Sequence, residues 1–410
     1  MKRVGLSIAL VSTMASLLSA CGGSSGGPGG TTTTDACKEL NSNTFSCEDM
    51  VNDVVEFGVR PLVTDFKTQV QTLHDATDTY CAPLIASNTD SDNDLAAAQT
   101  AWTSAAATIQ QLSVMQFGPL ASDDTGLTSI YAWPTVSACN VDVQMVRGTL
   151  GSDNRAGMFA MEYLLFSDKG SKACTTVNGV PQSTTVDDWF SANTSATARQ
   201  VDRCEYAQLV ADDLVNKATA MESEWNSFDL STAGSTLQAA IGTVADALFY
   251  VDKQTKDAKI KAALPQATDG VFDASKLESQ FALQSKDAII NNLVGAKRIL
   301  IANDDANTGF NDYFAALGRE DIVTELVTAL DAAIANAQAI NGSLNAAVSG
   351  ATNVEDCINA ANSATYDANS PIDALCSLQH NIKTVTDLLK GKFVNGTAFT
   401  VPASADGDAD

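Results

Sequence analysis

The sequence predicts an all-α protein built as two up-and-down helical bundles in one body, and three observations carry that expectation. Apolar residues recur at steps of three and four along several long stretches: Leu214, Ala218, Met221 and Trp225; Leu237, Ile241, Val244, Leu248 and Val251; Ile289, Leu293, Ala296 and Leu300; Leu326, Leu330, Ala333, Ala337 and Ile340. That spacing draws one apolar stripe along a helix. Alanine is abundant between the stripes, which suits helix propensity and lets neighbouring helices approach closely. Strand signals are confined to TTVNGVPQSTTV, residues 175–186, where an Asn-Gly pair between Thr and Val residues predicts one small hairpin.

In chain order, residues 1–20 read as a leader. MKR is a positive start, VGLSIALVSTMASLL an apolar stretch, and LSAC ends on a cysteine after small residues. LSAC resembles a bacterial lipobox, which implies cleavage before Cys21 and lipid on its thiol. Gly22 after that cysteine implies delivery to the outer membrane. Residues 21–36, the lipidated cysteine and a Gly/Ser/Thr run, form a tether too polar and too glycine-rich to bury anything. From about Met50 the pattern is helical, with breaks expected at Asn88–Asn93, Phe117–Pro119, Pro134, Pro265–Gly270, Asn303–Gly309 and Gly350. FDLSTAGS, residues 228–235, separates a first bundle, 37–228, from a second, 229–395. An acidic tail, 396–410, ends in DGDAD.

The chain has 410 residues, 45% of them hydrophobic, and a formal charge of −25 from 49 acids against 24 Lys and Arg. Such a surface repels nucleic acid, and the expected membrane contact is through lipid on Cys21. Eight further cysteines remain: Cys37, Cys47, Cys81, Cys139, Cys174, Cys204, Cys357 and Cys376. An even number in an exported chain predicts disulfides. Short loops close at lower entropic cost, so the expected pairs are Cys37–Cys47, Cys81–Cys139, Cys174–Cys204 and Cys357–Cys376.

One stretch breaks the pattern of acids on polar faces. In GMFAMEYLLF, residues 157–166, Glu162 has Met158, Phe159, Leu165 and Phe166 at helical spacing. A carboxylate buried without a partner costs several kcal/mol, so Glu162 needs either structural donors or a cation in a polar pocket. Arg147 and Arg155 lie close enough in sequence to serve, as does a backbone amide from a neighbouring helix.

Several separated stretches resemble the imelysin-like family of bacterial exported proteins. They are AAQTAWTSAAATIQQLSVMQFGPL (97–120), YAWPT (131–135), RCEYAQLVADDLVNKATAMESEW (203–225) and KLESQFALQSKDAIINNLVGAKRIL (276–300). The family signature Gly-x-His-x-x-Glu is matched by Gly157 and Glu162, with Phe159 where the histidine stands. A phenyl ring neither ligates a metal nor carries a proton. The resemblance implies a peptidase by name and a link to iron-regulated uptake, with iron or another divalent cation as the implied cofactor and a metal-uptake protein as the implied partner.

The residues themselves support proteolysis poorly. There is no His-Glu-x-x-His, and His74 and His380 are read as polar surface residues outside the signature, neither with a carboxylate four residues on to complete a helical two-ligand clamp. No serine sits in a Gly-x-Ser-x-Gly elbow. An oxygen-only cation site is left open, formed by Glu162 with Asp287, Asn291 and Asn292 from the second bundle. The expectation is therefore a non-catalytic binding lipoprotein of the imelysin-like kind, linked to iron or other metal acquisition. A metal-dependent peptidase and a peptide- or protein-binding scaffold are the alternatives.

Overall fold

The computed structural model describes Cys37, Leu40 and residues 45–402, apart from 123–126, 178–179, 266–269, 368, 397–398 and 400. The leader, Cys21, the tether and tail residues 403–410 lie outside the described residues.

The protein is all-α, as the apolar stripes predict. The helices of the first half are α1 (Cys47–Asp53), α2 (Arg60–Ser87), α3 (Asp92–Ser113), α4 (Leu127–Tyr131), α5 (Ala138–Arg147), α6 (Gly157–Phe166), α7 (Thr184–Ala192) and α8 (Ala196–Ser227). Those of the second are α9 (Leu237–Leu248), α10 (Ser285–Leu300), α11 (Phe310–Ala316), α12 (Glu320–Ala339), α13 (Leu344–Ser349), α14 (Val354–Ala360) and α15 (Pro371–Leu388). Two-residue strands β1 (Thr176–Val177) and β2 (Val180–Pro181) pair antiparallel in the expected hairpin.

Local chemistry sets the helix limits. Ser91, Ser137, Ser195 and Ser370 each precede a helix and accept a backbone N–H from its first turn, satisfying one of the donors a helix start leaves open. Between Ser227 and Leu237, where turn formers were expected to interrupt the stripes, the chain makes a short 3-10 turn at Leu230–Thr232.

The long helices α2, α3 and α8 pack together, with α6 against α3 and α8; in the second half α12 packs on α15 and on α10. Helix α10 also lies along α3, and one continuous apolar core includes residues from both halves. Gly295 makes that crossing possible: a Cβ there would collide with the backbone of Gln111, so α10 and α3 meet backbone to backbone. Where the chain enters α6, Gly157 has φ +79°, and a Cβ would strike the Ile130 carbonyl. Both demands are met by glycine alone.

Four disulfides form, as the even count predicts. Cys37–Cys47 and Cys357–Cys376 pair as expected, but Cys81 joins Cys204 and Cys139 joins Cys174. The loop-length argument fails for these two because the helices already do the closing. Antiparallel α2 and α8 bring Cys81 and Cys204 together across 123 residues. Cys139, in the first turn of α5, meets the segment after α6, where Asp142 also accepts the Ala173 N–H at 2.6 Å.

Candidate functional site

A cavity of about 290 Å³ lies where α3, α6 and α10 meet, and Glu162 is on its wall. The side chain is 2% exposed. Its Oε1 accepts three hydrogen bonds, from Ser279 Oγ at 2.8 Å and from the backbone amides of Phe281 and Ala282 at 2.9 Å each. All three donors come from the segment that leads into α10. The sequence alternatives for its partner thus resolve onto backbone amides and a hydroxyl. Arg155 instead donates to Gln144 at 3.0 Å, and Arg147 is exposed. Burial raises the Glu162 pKa, and the Ala282, Ser279 and Phe281 donors pull the other way.

Helix α6 is fixed from both sides. Trp102 Nε1 on α3 donates to the Met158 carbonyl at 2.8 Å, and Gln99 donates to the Leu165 carbonyl at 2.8 Å. On the other side, Tyr163 donates to Asp142 at 2.7 Å and receives an Arg203 N–H at 3.2 Å. Phe159 lines the cavity and meets Phe281 edge-on, with centroids 6.3 Å apart.

The back of the cavity holds a second buried group that sequence reasoning missed. Glu278 lines the wall, and Lys259 stands behind it with Nζ 3.0 Å from Glu278 Oε2; both are almost fully buried. Gln110 bridges the pair, donating to Glu278 at 2.6 Å and to the Tyr131 hydroxyl at 2.7 Å while accepting from Lys259. The Lys259 ammonium sits over the Tyr131 and Trp133 rings, at 5.7 and 6.0 Å. Burial pushes the Glu278 carboxyl up to about 8 and pushes Lys259 well below its ordinary value. Lys259 follows the π-helical turn Val251–Ala258, whose wider winding departs from the regular stripe. No periodicity in the sequence announces that turn.

Of the four residues proposed as oxygen ligands, Glu162, Asp287 and Asn291 line the cavity and Asn292 does not. Asn292 is fully buried, donating to the Gln110 carbonyl at 2.7 Å and to Ser113 at 2.6 Å while accepting from Thr255 at 3.3 Å. The Asn291 amide oxygen accepts from Gln111 at 3.1 Å, and its nitrogen donates to the Asp287 carbonyl. Both asparagine amide oxygens are thus already committed, as is Oε1 of Glu162. Among the described residues no three His, Cys, Asp or Glu side chains converge as a metal site. A bare cation therefore lacks a ready-made ligand set here.

His74 also needs correction. Asp78 stands four residues beyond it, the spacing of a helical two-ligand clamp, and the two are 3.8 Å apart. His74 is also held by Asp75 at 3.0 Å and, across to α8, by Asp212 at 2.9 Å. These contacts lie outside the cavity and tie α2 to α8.

Comparison with known proteins identifies the family. The Imelysin family model matches residues 60–371. The chain belongs to the imelysin family. An imelysin-like protein from Psychrobacter arcticum 273-4 shares the fold with a TM-score of 0.63 at 15% identity, covering 87% of this chain and 98% of that one. A candidate iron-regulated protein A precursor from Parabacteroides distasonis ATCC 8503 matches with a TM-score of 0.54 at 19% identity, covering 84% and 95%. No curated protein matches this imelysin-family chain.

Proposed function

We propose that this imelysin-family protein is a non-catalytic binding protein of the cell envelope, tethered through lipid on Cys21 and linked to iron or other metal acquisition. The cavity between α3, α6 and α10 is its ligand site. The observation that carries the reading is Glu162: a buried carboxylate on a cavity wall, held by three donors on one oxygen. Pockets that take small molecules are mostly apolar with a few convergent polar groups, and this cavity fits that pattern.

The link to iron draws on the relative described as iron-regulated, words that speak of regulation and name no ligand. Peptidase chemistry draws on the family name alone. Zinc hydrolysis commonly uses three protein ligands around an open water position. The described residues do not bring such a set together. Among them, no helix is long and apolar enough to cross a membrane.

The test is native purification from envelope fractions followed by mass spectrometry of released small molecules. A near-stoichiometric compound is expected with the natural chain and is expected to be absent from Ala107→Trp, which fills the cavity. Chelator-sensitive cleavage of an unfolded protein substrate by pure material would overturn the non-catalytic reading. Labelled fatty acid should enter the natural protein and not Cys21→Ser.

A further inference from the structure

We infer that the cavity ligand is a small organic ammonium, seated with its charge toward Glu162 and its carbon skeleton against Phe159, Trp102 and Tyr131. This rests on the reading of the cavity as a ligand site and adds the chemical class.

The argument begins with charge. Oε1 of Glu162 accepts three hydrogen bonds. Hydrogen bonds donated to a carboxylate stabilise its charged form, and three of them converge here from a hydroxyl and two amides. Among the described residues, its recorded partners are a hydroxyl and two amides, which are dipoles and carry no net charge. The other acid of the wall is handled differently. Glu278 is paired with Lys259 behind it, and the pair carries no net charge. What remains facing the cavity is the Glu162 carboxylate and, on the exposed first turn of α10, Asp287. A buried anion of this kind is stabilised when a cation comes beside it.

The class of cation follows from the rest of the wall. A hard metal ion needs several oxygens at once, and the amide oxygens of Asn291 and Asn292 are already taken by Gln111 and Thr255. The space of about 290 Å³ is far larger than an ion. Aromatic rings line it, and their apolar surface takes the carbon skeleton that accompanies the charge. One carboxylate, aromatic walls and an apolar interior together suit an amine better than an ion or an acid.

The experiment is calorimetric titration of the full chain at pH 7.5 with benzylammonium, benzyl alcohol, benzoate and zinc chloride. In the natural protein, benzylammonium is expected to bind at least about tenfold tighter than benzyl alcohol. Glu162→Gln should abolish that gap, and Asp287→Asn, at an exposed position that leaves the core untouched, should narrow it about threefold. Equal binding of alcohol and ammonium, tighter binding of benzoate, or a gap unchanged in both variants would overturn the ammonium while leaving the cavity as a ligand site. Tightest binding by zinc would replace the amine with a metal. Absence of heat and of thermal stabilisation with all four probes would overturn both the ammonium and the cavity reading.

Discussion

Ser279 and Glu162 lie 117 positions apart in sequence and meet at 2.8 Å, so a residue of the second half closes over the acid of the first. With the amides of Phe281 and Ala282 on the same oxygen, the carboxylate acts as a clasp between α6 and the segment entering α10. Stability and ligand binding are therefore coupled at one side chain.

Glu162→Ala removes the acceptor and takes the partner from two half-buried amides and a buried hydroxyl. The expected loss is about 2–4 kcal/mol. Glu162→Gln keeps the shape and an acceptor oxygen and should lose less than half of that. Urea titration followed by circular dichroism measures both, and equal losses for the two variants would mean that charge, not hydrogen bonding, dominates.

Lys259 and Glu278 predict a non-additive pair. Removing Glu278 alone leaves the buried Lys259 amine over Tyr131 and Trp133 without its partner, at an expected cost of up to about 3–5 kcal/mol. The double variant Lys259→Met, Glu278→Leu should recover most of that cost, since no unpartnered polar group then remains in the dry interior. A double-mutant cycle by chemical denaturation checks the coupling. Additive losses would show that the two groups do not interact.

The pH profile of stability should carry the mark of His74. Burial opposes its charge but is outweighed by the hydrogen bonds to Asp75 and Asp212 and by the nearby Asp78, so its folded pKa lies above 6.5. A raised histidine contributes stability that is fully present below the unfolded value and is lost as pH rises through the folded one. Melting temperature should therefore fall across that window, and His74→Gln should flatten the fall. A profile unchanged by the substitution would remove His74 from the account.

Much of the fold was legible because burial leaves a periodic trace. The stripes from Leu214 to Trp225 and from Leu326 to Ile340 coincide with α8 and with α12 up to its C-cap. Glu162 was legible for the same reason, as a charge at the wrong phase of an apolar run. Its partners were not, because backbone amides have no residue signature and Phe281 and Ala282 lie more than a hundred positions away. Lys259 escaped because a π-helical turn shifts the phase that periodicity relies on. Cys81–Cys204 escaped because loop entropy was weighed without the helix pair that aligns the two thiols.

That disulfide should matter more than its neighbour in the second half. A cross-link stabilises chiefly by restricting the unfolded chain, and the restriction grows with the logarithm of the loop it closes. Cys81–Cys204 spans 123 residues, whereas Cys357–Cys376 spans 19. Chain entropy alone gives about 5 kcal/mol for the first and about 3 kcal/mol for the second. Replacing each pair with serine and comparing urea midpoints at constant slope is the measurement. Equal losses would indicate that the unfolded chain keeps α2 and α8 together without the bridge.

Phe159→His tests how the cavity selects its cation. The phenyl ring offers a π face and no lone pair, whereas an imidazole would place a nitrogen ligand three positions before Glu162, within the same helical turn. Affinity for zinc or ferric ion should then rise by at least about tenfold, the work of one added ligand beside a retained carboxylate. Benzylammonium should bind more weakly, because a partly protonated imidazole repels it and the aromatic wall is reduced. Adding Glu162→Gln should remove the gained metal affinity, since the nitrogen would then act alone. Calorimetry on the natural chain, the single variant and the double variant reads all three effects. A Phe159→His protein that binds metal no better than the natural chain would show that position 159 does not set the metal affinity of the site.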